Sequence, residues 1–161
     1  MHRRSTAAQM VVWAMMAFVI LGCSPKRIGP TGEDGKALTW DRMDFNQRKA
    51  HMQNVVLPQA AEVFRHWRPE KYVNVDCTLC HDGSLGYETF DMPTAHLIRL
   101  SGKVLLGPEF ANHPDTTQLK LDRLVPTMAA ALGKKPFSIV TRRGFGCYSC
   151  HLGPQGPMFG N

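Results

Sequence analysis

Two five-residue motifs of the sequence combine paired thiols with an adjacent imidazole. One is Cys77-Thr78-Leu79-Cys80-His81, and the other is Cys147-Tyr148-Ser149-Cys150-His151. Two cysteines at this spacing lie on one helical turn, where both thiols can add to the vinyl groups of one porphyrin and the following histidine can bind its iron. The motifs therefore predict two c-type haems, with thioether bonds at Cys77, Cys80, Cys147 and Cys150 and with His81 and His151 as proximal iron ligands.

Two other chemistries use the same cysteine spacing. The four cysteines together could bind one zinc ion, but such a zinc site would not need the two histidines. A thioredoxin-like redox pair has the same form, but the flanking strand and helix that it requires are not indicated. Haem attachment is favoured because it uses the cysteines and the histidine of both motifs.

The paired motifs resemble those of dihaem c-type cytochromes. The resemblance implies an electron carrier, in which the haem irons exchange single electrons with redox proteins and the protein sets their potentials. An alternative is a haem enzyme or sensor in which one iron is five-coordinate and open to peroxide, NO or CO. A structural lipoprotein that binds haem incidentally is the third reading. The short chain holds no compact cluster of acid–base groups besides the motifs, which favours the carrier over an enzyme.

A weak internal repeat precedes the two motifs. Residues 56–64 and 124–132 share a proline, an alanine and five further apolar positions. This order of proline-bearing helix, loop and attachment motif is similar to the module of the tetrahaem cytochrome subunit of photosynthetic reaction centres. There the helix presents a methionine to the haem, so the resemblance implies Met128 as a distal ligand for the second haem. The other reading of Met128 is a core residue.

The first copy of the repeat differs at this position, because Ala60 stands where the second copy has Met128. Met52 and His51, two turns earlier, are the nearest alternatives for the first haem. Met52 shares a helical face with Val56, whereas His51 points roughly 100° away. Arg48 and Met52 also resemble the first helix of four-helix-bundle cytochromes, and on that resemblance Met52 would serve the second haem instead.

Other methionines and histidines are weaker candidates. Met92-Pro93 resembles the methionine loop of soluble monohaem cytochromes, but only ten residues separate Met92 from His81, too few for that fold. Met92 therefore remains an alternative distal ligand, but the monohaem cytochrome fold that would position it is not expected here. The remaining internal histidines are expected at the surface, and they are His66, His96 and His113.

The N-terminus has the pattern of an export signal. A basic start is followed by an apolar run at residues 10–21, which is shorter than the about 20 residues of a membrane-spanning helix. Ile20-Leu21-Gly22-Cys23 resembles a bacterial lipobox, and the resemblance implies cleavage after Gly22 and lipidation of Cys23. The protein is then expected on the periplasmic side, tethered to a membrane, with Ser24 favouring the outer one. An uncleaved membrane anchor is the alternative.

The remaining chain divides into three parts. Residues 23–38 are rich in Pro, Gly and charge and are expected to form a flexible tether. The haem domain is expected at 39–152, and residues 153–161 are expected to form a disordered tail. Helical signals begin at Thr39, and a second helix is expected from Asp115, with Gln118 in a capping box, to a stop at Gly133. No strand alternation is found, so the fold class is mainly α: a small, haem-packed helical domain without a substantial sheet.

Composition limits the partners of this domain. The 161 residues are 43% apolar, which excludes a disordered chain or a fibre. The formal charge is +6, and haem propionates would offset it. Nucleic acid is not an expected partner, because an exported lipoprotein would rarely meet any. Periplasmic or membrane-bound redox proteins are the expected partners.

Overall fold

The computed structural model describes residues 26–81, 90–102, 107–138, 140–141 and 143–154. Within these ranges the chain is mainly helical, with isolated β-bridges and no sheet, which confirms the predicted fold class. The expected signal peptide (residues 1–22) and Cys23 lie outside the described residues. No helix in the described part of the chain is long and apolar enough to cross a membrane.

The first long helical region begins after Asp44. Helix α1 (Phe45–His51) opens with a capping box, in which Asp44 Oδ1 accepts from Gln47 N at 2.8 Å and Gln47 Oε1 accepts from Asp44 N at 3.0 Å. Thr39, where the sequence placed the start, precedes only a short 3₁₀ turn and makes no side-chain cap bond. The extended backbone of Met43 ends that turn, so the helix has to start again with its own cap.

A π segment interrupts this helical region at a proline. The first π segment (Met52–Val56) joins α1 to helix α2 (Leu57–Trp67), and Leu57 N donates to Met52 O, five residues back. Pro58 follows directly and has no N–H to donate. The wider π turn adds one residue, and the helix continues past the proline.

The second long helical region repeats this arrangement. It follows the short helix α3 (Pro108–Asn112) and consists of helix α4 (Pro114–Leu119), the second π segment (Lys120–Leu124) and helix α5 (Val125–Ala131). Val125 N donates to Lys120 O just before Pro126. The shared π geometry makes Lys120 the equivalent of Met52, and the sequence repeat makes Met128 the equivalent of Ala60. The backbone therefore supports the weak sequence repeat.

The limits of this second region differ from the predicted ones only at its start. The helix starts at Pro114, and Gln118 donates to Asp122 Oδ2 at 2.6 Å instead of closing a capping box. Gly133 ends it as predicted, with φ of +63°, a conformation that a glycine adopts without steric cost.

The two copies pack against each other reciprocally. Helix α2 contacts α5, and each of these helices also contacts the π segment of the other copy. The buried apolar side chains of these elements are Val56, Ala60, Ala61, Phe64, Ala129 and Ala131. The larger apolar side chains of the second helical region are half-buried: Leu121, Leu124, Val125, Met128 and Leu132.

Residues 26–38 differ from the flexible tether that their composition predicts. Ile28 N and Gly29 N both donate to Leu38 O at 2.9 Å, and Leu38 N donates to Pro30 O at the same distance. Leu38 is buried, and Gly35 supplies the positive φ of the connecting turn. Glycine and proline here form a closed turn, so the ordered domain begins before Thr39.

Candidate haem-attachment site

The two Cys-x-x-Cys-His motifs adopt the same backbone conformation. Each contains one 3₁₀ turn, Cys77–Leu79 in the first motif and Cys147–Ser149 in the second. In both, the histidine N–H donates to the carbonyl oxygen of the first cysteine, at 2.9 Å for His81 and 3.0 Å for His151. Both thiols and the imidazole of each motif therefore start from one tight turn, as the sequence predicted.

A side-chain cap holds the start of each turn. In the first motif, Asp76 Oδ1 accepts from Thr78 N at 2.8 Å and from Thr78 Oγ1 at 2.6 Å. These two bonds hold the pKa of the Asp76 carboxyl below its usual range. In the second motif, Gly146 N donates to Ser149 Oγ at 3.0 Å. Different residues therefore cap the two turns, an aspartate with a threonine in the first motif and a serine in the second.

The four motif cysteines are free thiols. Burial raises the pKa of Cys80 and of Cys147, and it raises the pKa of Cys150 to about 11, with a further contribution from Cys80. Thiols with raised pKa values are neutral at physiological pH.

The second motif holds its histidine in a defined tautomer. His151 Nδ1 lies 2.9 Å from Ile98 O. A carbonyl oxygen can only accept a hydrogen bond, so Nδ1 carries the proton and the lone pair is on Nε2. Burial lowers the pKa of His151, which keeps the ring neutral. A neutral imidazole with a free Nε2 and a bonded Nδ1 is the form that binds haem iron.

The first motif places its histidine in a different environment. His81 is buried, and burial lowers its pKa, with a smaller contribution from His96. Its Nδ1 has no hydrogen-bond partner among the residues that the structure describes. The ring lies edge-on to Phe90, with the ring centroids 5.3 Å apart. The two proximal candidates therefore share burial and neutrality but differ at Nδ1.

A bridging segment (residues 94–100), which the sequence analysis did not single out, contacts both motifs. His96 Nε2 lies 2.9 Å from Thr78 O in the first motif, and Thr94 N donates to Cys150 O in the second at 3.2 Å. His96 is exposed, as expected, but its imidazole has a partner. Both bonds are accepted by backbone carbonyl oxygens, which every residue has. The residue types at the accepting positions therefore give no sequence signal for this segment.

The candidate distal ligands lie in three different settings. Met52 and Met128 are half-buried, Met52 at the start of the first π segment and Met128 on α5. His51 is buried, and its Nε2 lies 2.8 Å from Ala131 O, so its imidazole joins α1 to the end of α5. Met92 is half-buried just before the bridging segment. Methionine sulfur thus remains the available donor type, with His51 engaged elsewhere.

The second π segment adds a cation that the sequence analysis did not single out. Burial is the main cause of the raised pKa values of Cys80, Cys147 and Cys150 and of the lowered pKa of His151, and the charge of Lys120 acts on all four in the direction that lowers the pKa. The offset that aligns residues 56–64 with 124–132 also aligns Met52 with Lys120, and each of these two residues begins a π segment.

Among the described residues, which include all four motif cysteines, no group of three or more His, Cys, Asp or Glu side chains is placed to hold one metal ion. Each motif offers two thiols and one buried imidazole, the donor set that a c-type haem uses.

Neither the protein-family models, nor the curated proteins, nor the solved structures compared with this chain gave a match. Function is therefore inferred from the chain's own residues and their geometry.

Proposed function

We propose that the chain is an exported, lipid-tethered dihaem c-type cytochrome that transfers single electrons between periplasmic redox proteins. The observation that carries this proposal is the folding of both Cys-x-x-Cys-His motifs into the same turn, each with a buried imidazole whose pKa burial lowers. When bound, haem supplies an iron that cycles between the ferric and ferrous states.

The chain's own residues hold and orient the two groups. The cysteine pairs would anchor each porphyrin covalently, and His81 and His151 would each offer a ring nitrogen to an iron. Ile98 O fixes the orientation and tautomer of His151. Burial of both imidazoles limits access of water, one of the factors through which a protein tunes a haem potential.

The closeness of the two motifs favours a relay over two independent sites. One short segment bonds both motifs. Thr78 O is bonded by the side chain of His96 and Cys150 O by the backbone N–H of Thr94, and these two residues are two positions apart in the chain. Electrons can then pass between sites within one small protein.

The proposal is tested by haem stoichiometry. The full chain is produced in a host that attaches c-type haem, and covalent haem is counted by mass and by the pyridine haemochrome spectrum. We expect two haems in the wild type and one in each double variant, Cys77→Ala/Cys80→Ala and Cys147→Ala/Cys150→Ala. A Cys23→Ala control should keep both haems and move to the soluble periplasmic fraction. A purified chain that carries zinc and no haem would refute the proposal.

A haem enzyme or sensor with one open iron is the second candidate. Ala60, at the position equivalent to Met128, is buried and has no ligating atom, and the nearby His51 bonds Ala131 O. If Met52 does not reach the first haem, its sixth position is open. High-spin spectral features and CO binding by half of the haem would support this candidate, and two low-spin haems that do not bind CO would exclude it.

A further inference from the structure

The bridging segment (residues 94–100) bonds the last two residues of the second motif and the two residues that follow it. Thr94 N donates to Cys150 O at 3.2 Å, and Leu100 N donates to Leu152 O at 2.8 Å. Between them, Ile98 O accepts from His151 Nδ1, and Arg99 Nη1 donates to Gly153 O at 2.7 Å. This side of the segment is held by four bonds and is therefore well anchored.

The first motif is reached by one side chain of the same segment. His96 Nε2 donates to Thr78 O at 2.9 Å, because the carbonyl oxygen can only accept. His96 N in turn donates to Thr94 Oγ1 at 3.1 Å, a local turn that orients the residue. Thr78 lies between the two cysteines of the first motif, so the bond acts on the turn that carries both thiols and His81.

We propose that residues 94–100 are a positioning element that sets the mutual orientation of the two attachment motifs, with His96 as the positioning residue for the first motif. This inference rests on the proposed function, because the motifs matter as a pair only if both hold haem. Without the His96 bond, the first motif turns more freely relative to the second. The two porphyrins then no longer have one fixed relative orientation, although both remain covalently attached.

The test uses a spectroscopic signal that depends on haem–haem geometry. Two neighbouring porphyrins in a fixed orientation give an exciton couplet in the Soret circular dichroism. The His96→Phe protein keeps a ring of similar size without a donor. Loss of one hydrogen bond shifts an orientational equilibrium by roughly threefold, so we expect a smaller couplet than in the wild type. His96→Gln places a donor amide near Nε2 and should restore it.

Controls separate this role from general destabilisation. His66→Phe alters an exposed histidine on α2 and should leave the couplet unchanged. If His96→Phe fails to accumulate haem, Thr94→Val removes the hydroxyl that orients His96 and should reduce the couplet in the same direction.

Several results would overturn the inference while leaving the proposed function intact. The first is a wild-type protein that carries two haems and shows no couplet, and the second is a His96→Phe protein that carries two haems and keeps the wild-type couplet. The third is a couplet that falls equally in His96→Phe and His96→Gln, and the fourth is a couplet that falls as far in His66→Phe. Absence of covalent haem from the wild type would instead refute the proposed function, which the haem count detects separately.

Discussion

At the residue scale, the charge of Lys120 acts on both attachment motifs. Burial is the main cause of the pKa shifts of three motif thiols and of His151, and the charge of Lys120 acts on each of them in the direction that lowers the pKa, so its field favours the more negative state of nearby groups. By the same electrostatics it favours ferrous over ferric iron. We expect Lys120→Gln to lower the potentials of both haems and Lys120→Arg to preserve them. Potentiometric titration at low and high salt checks this, and the effect should shrink at high salt because Lys120 is only half-buried. Potentials that do not move in Lys120→Gln at low salt would contradict it.

Also at the residue scale, Met128 remains the distal candidate for the second haem. Met128→Leu conserves volume and apolarity, so a packing role alone would cost less than about 1.5 kcal/mol of unfolding free energy. A lost thioether ligand would in addition lower the potential of that haem, because sulfur favours ferrous iron, and would remove the red absorption band of methionine-ligated ferric haem. We expect the spectral change. Unaltered spectra, potentials and CO reactivity would assign Met128 to the core and make Met52 the next variant to study.

At the element scale, the end of α5 is held against the N-terminal turn. Gly133 has a φ of +63°, and a Cβ added there would lie 2.7 Å from Lys26 O. Gly35 has a φ of +70°, with no atom within 4 Å of an added Cβ. Gly35→Ala should therefore cost about 1 kcal/mol through backbone strain alone, and Gly133→Ala at least about 2 kcal/mol. Denaturant unfolding of the two holoproteins measures both costs. Equal losses would show that residue 26 does not pack on Gly133 in solution.

At the scale of the whole molecule, the protein core is thin. Four of its buried apolar residues are alanines, and no large side chain in the described part of the chain is less than 2% exposed. Two porphyrins would supply the missing apolar surface. We expect replacement of all four motif cysteines by alanine to abolish cooperative unfolding, with the Cys77→Ala/Cys80→Ala chain intermediate in stability. Thermal and denaturant unfolding followed by circular dichroism test this. A haem-free chain as stable and cooperative as the dihaem protein would contradict it.

The sequence alone determined the helical class and the tight turn that each Cys-x-x-Cys-His motif forms. The cysteine and histidine spacing within one turn is a local property, and the same backbone bonds form in both motifs, at 2.9 and 3.0 Å. The helical class follows from the absence of strand alternation, and the stop at Gly133 from a conformation that glycine adopts readily. These features depend on near neighbours in the chain, so residue types and spacing are sufficient to predict them.

Only the tertiary structure decided what surrounds the motifs. His51 and Ala131 meet across 80 positions of the chain, and His96 reaches Thr78 O, a carbonyl that every residue type possesses. The π turns before Pro58 and Pro126 each add one residue to the helical register, a departure from the regular helix that the sequence pattern did not indicate. Such features arise from backbone groups and from contacts between distant segments. Residue identity does not encode them locally, and packing of the two copies fixes them.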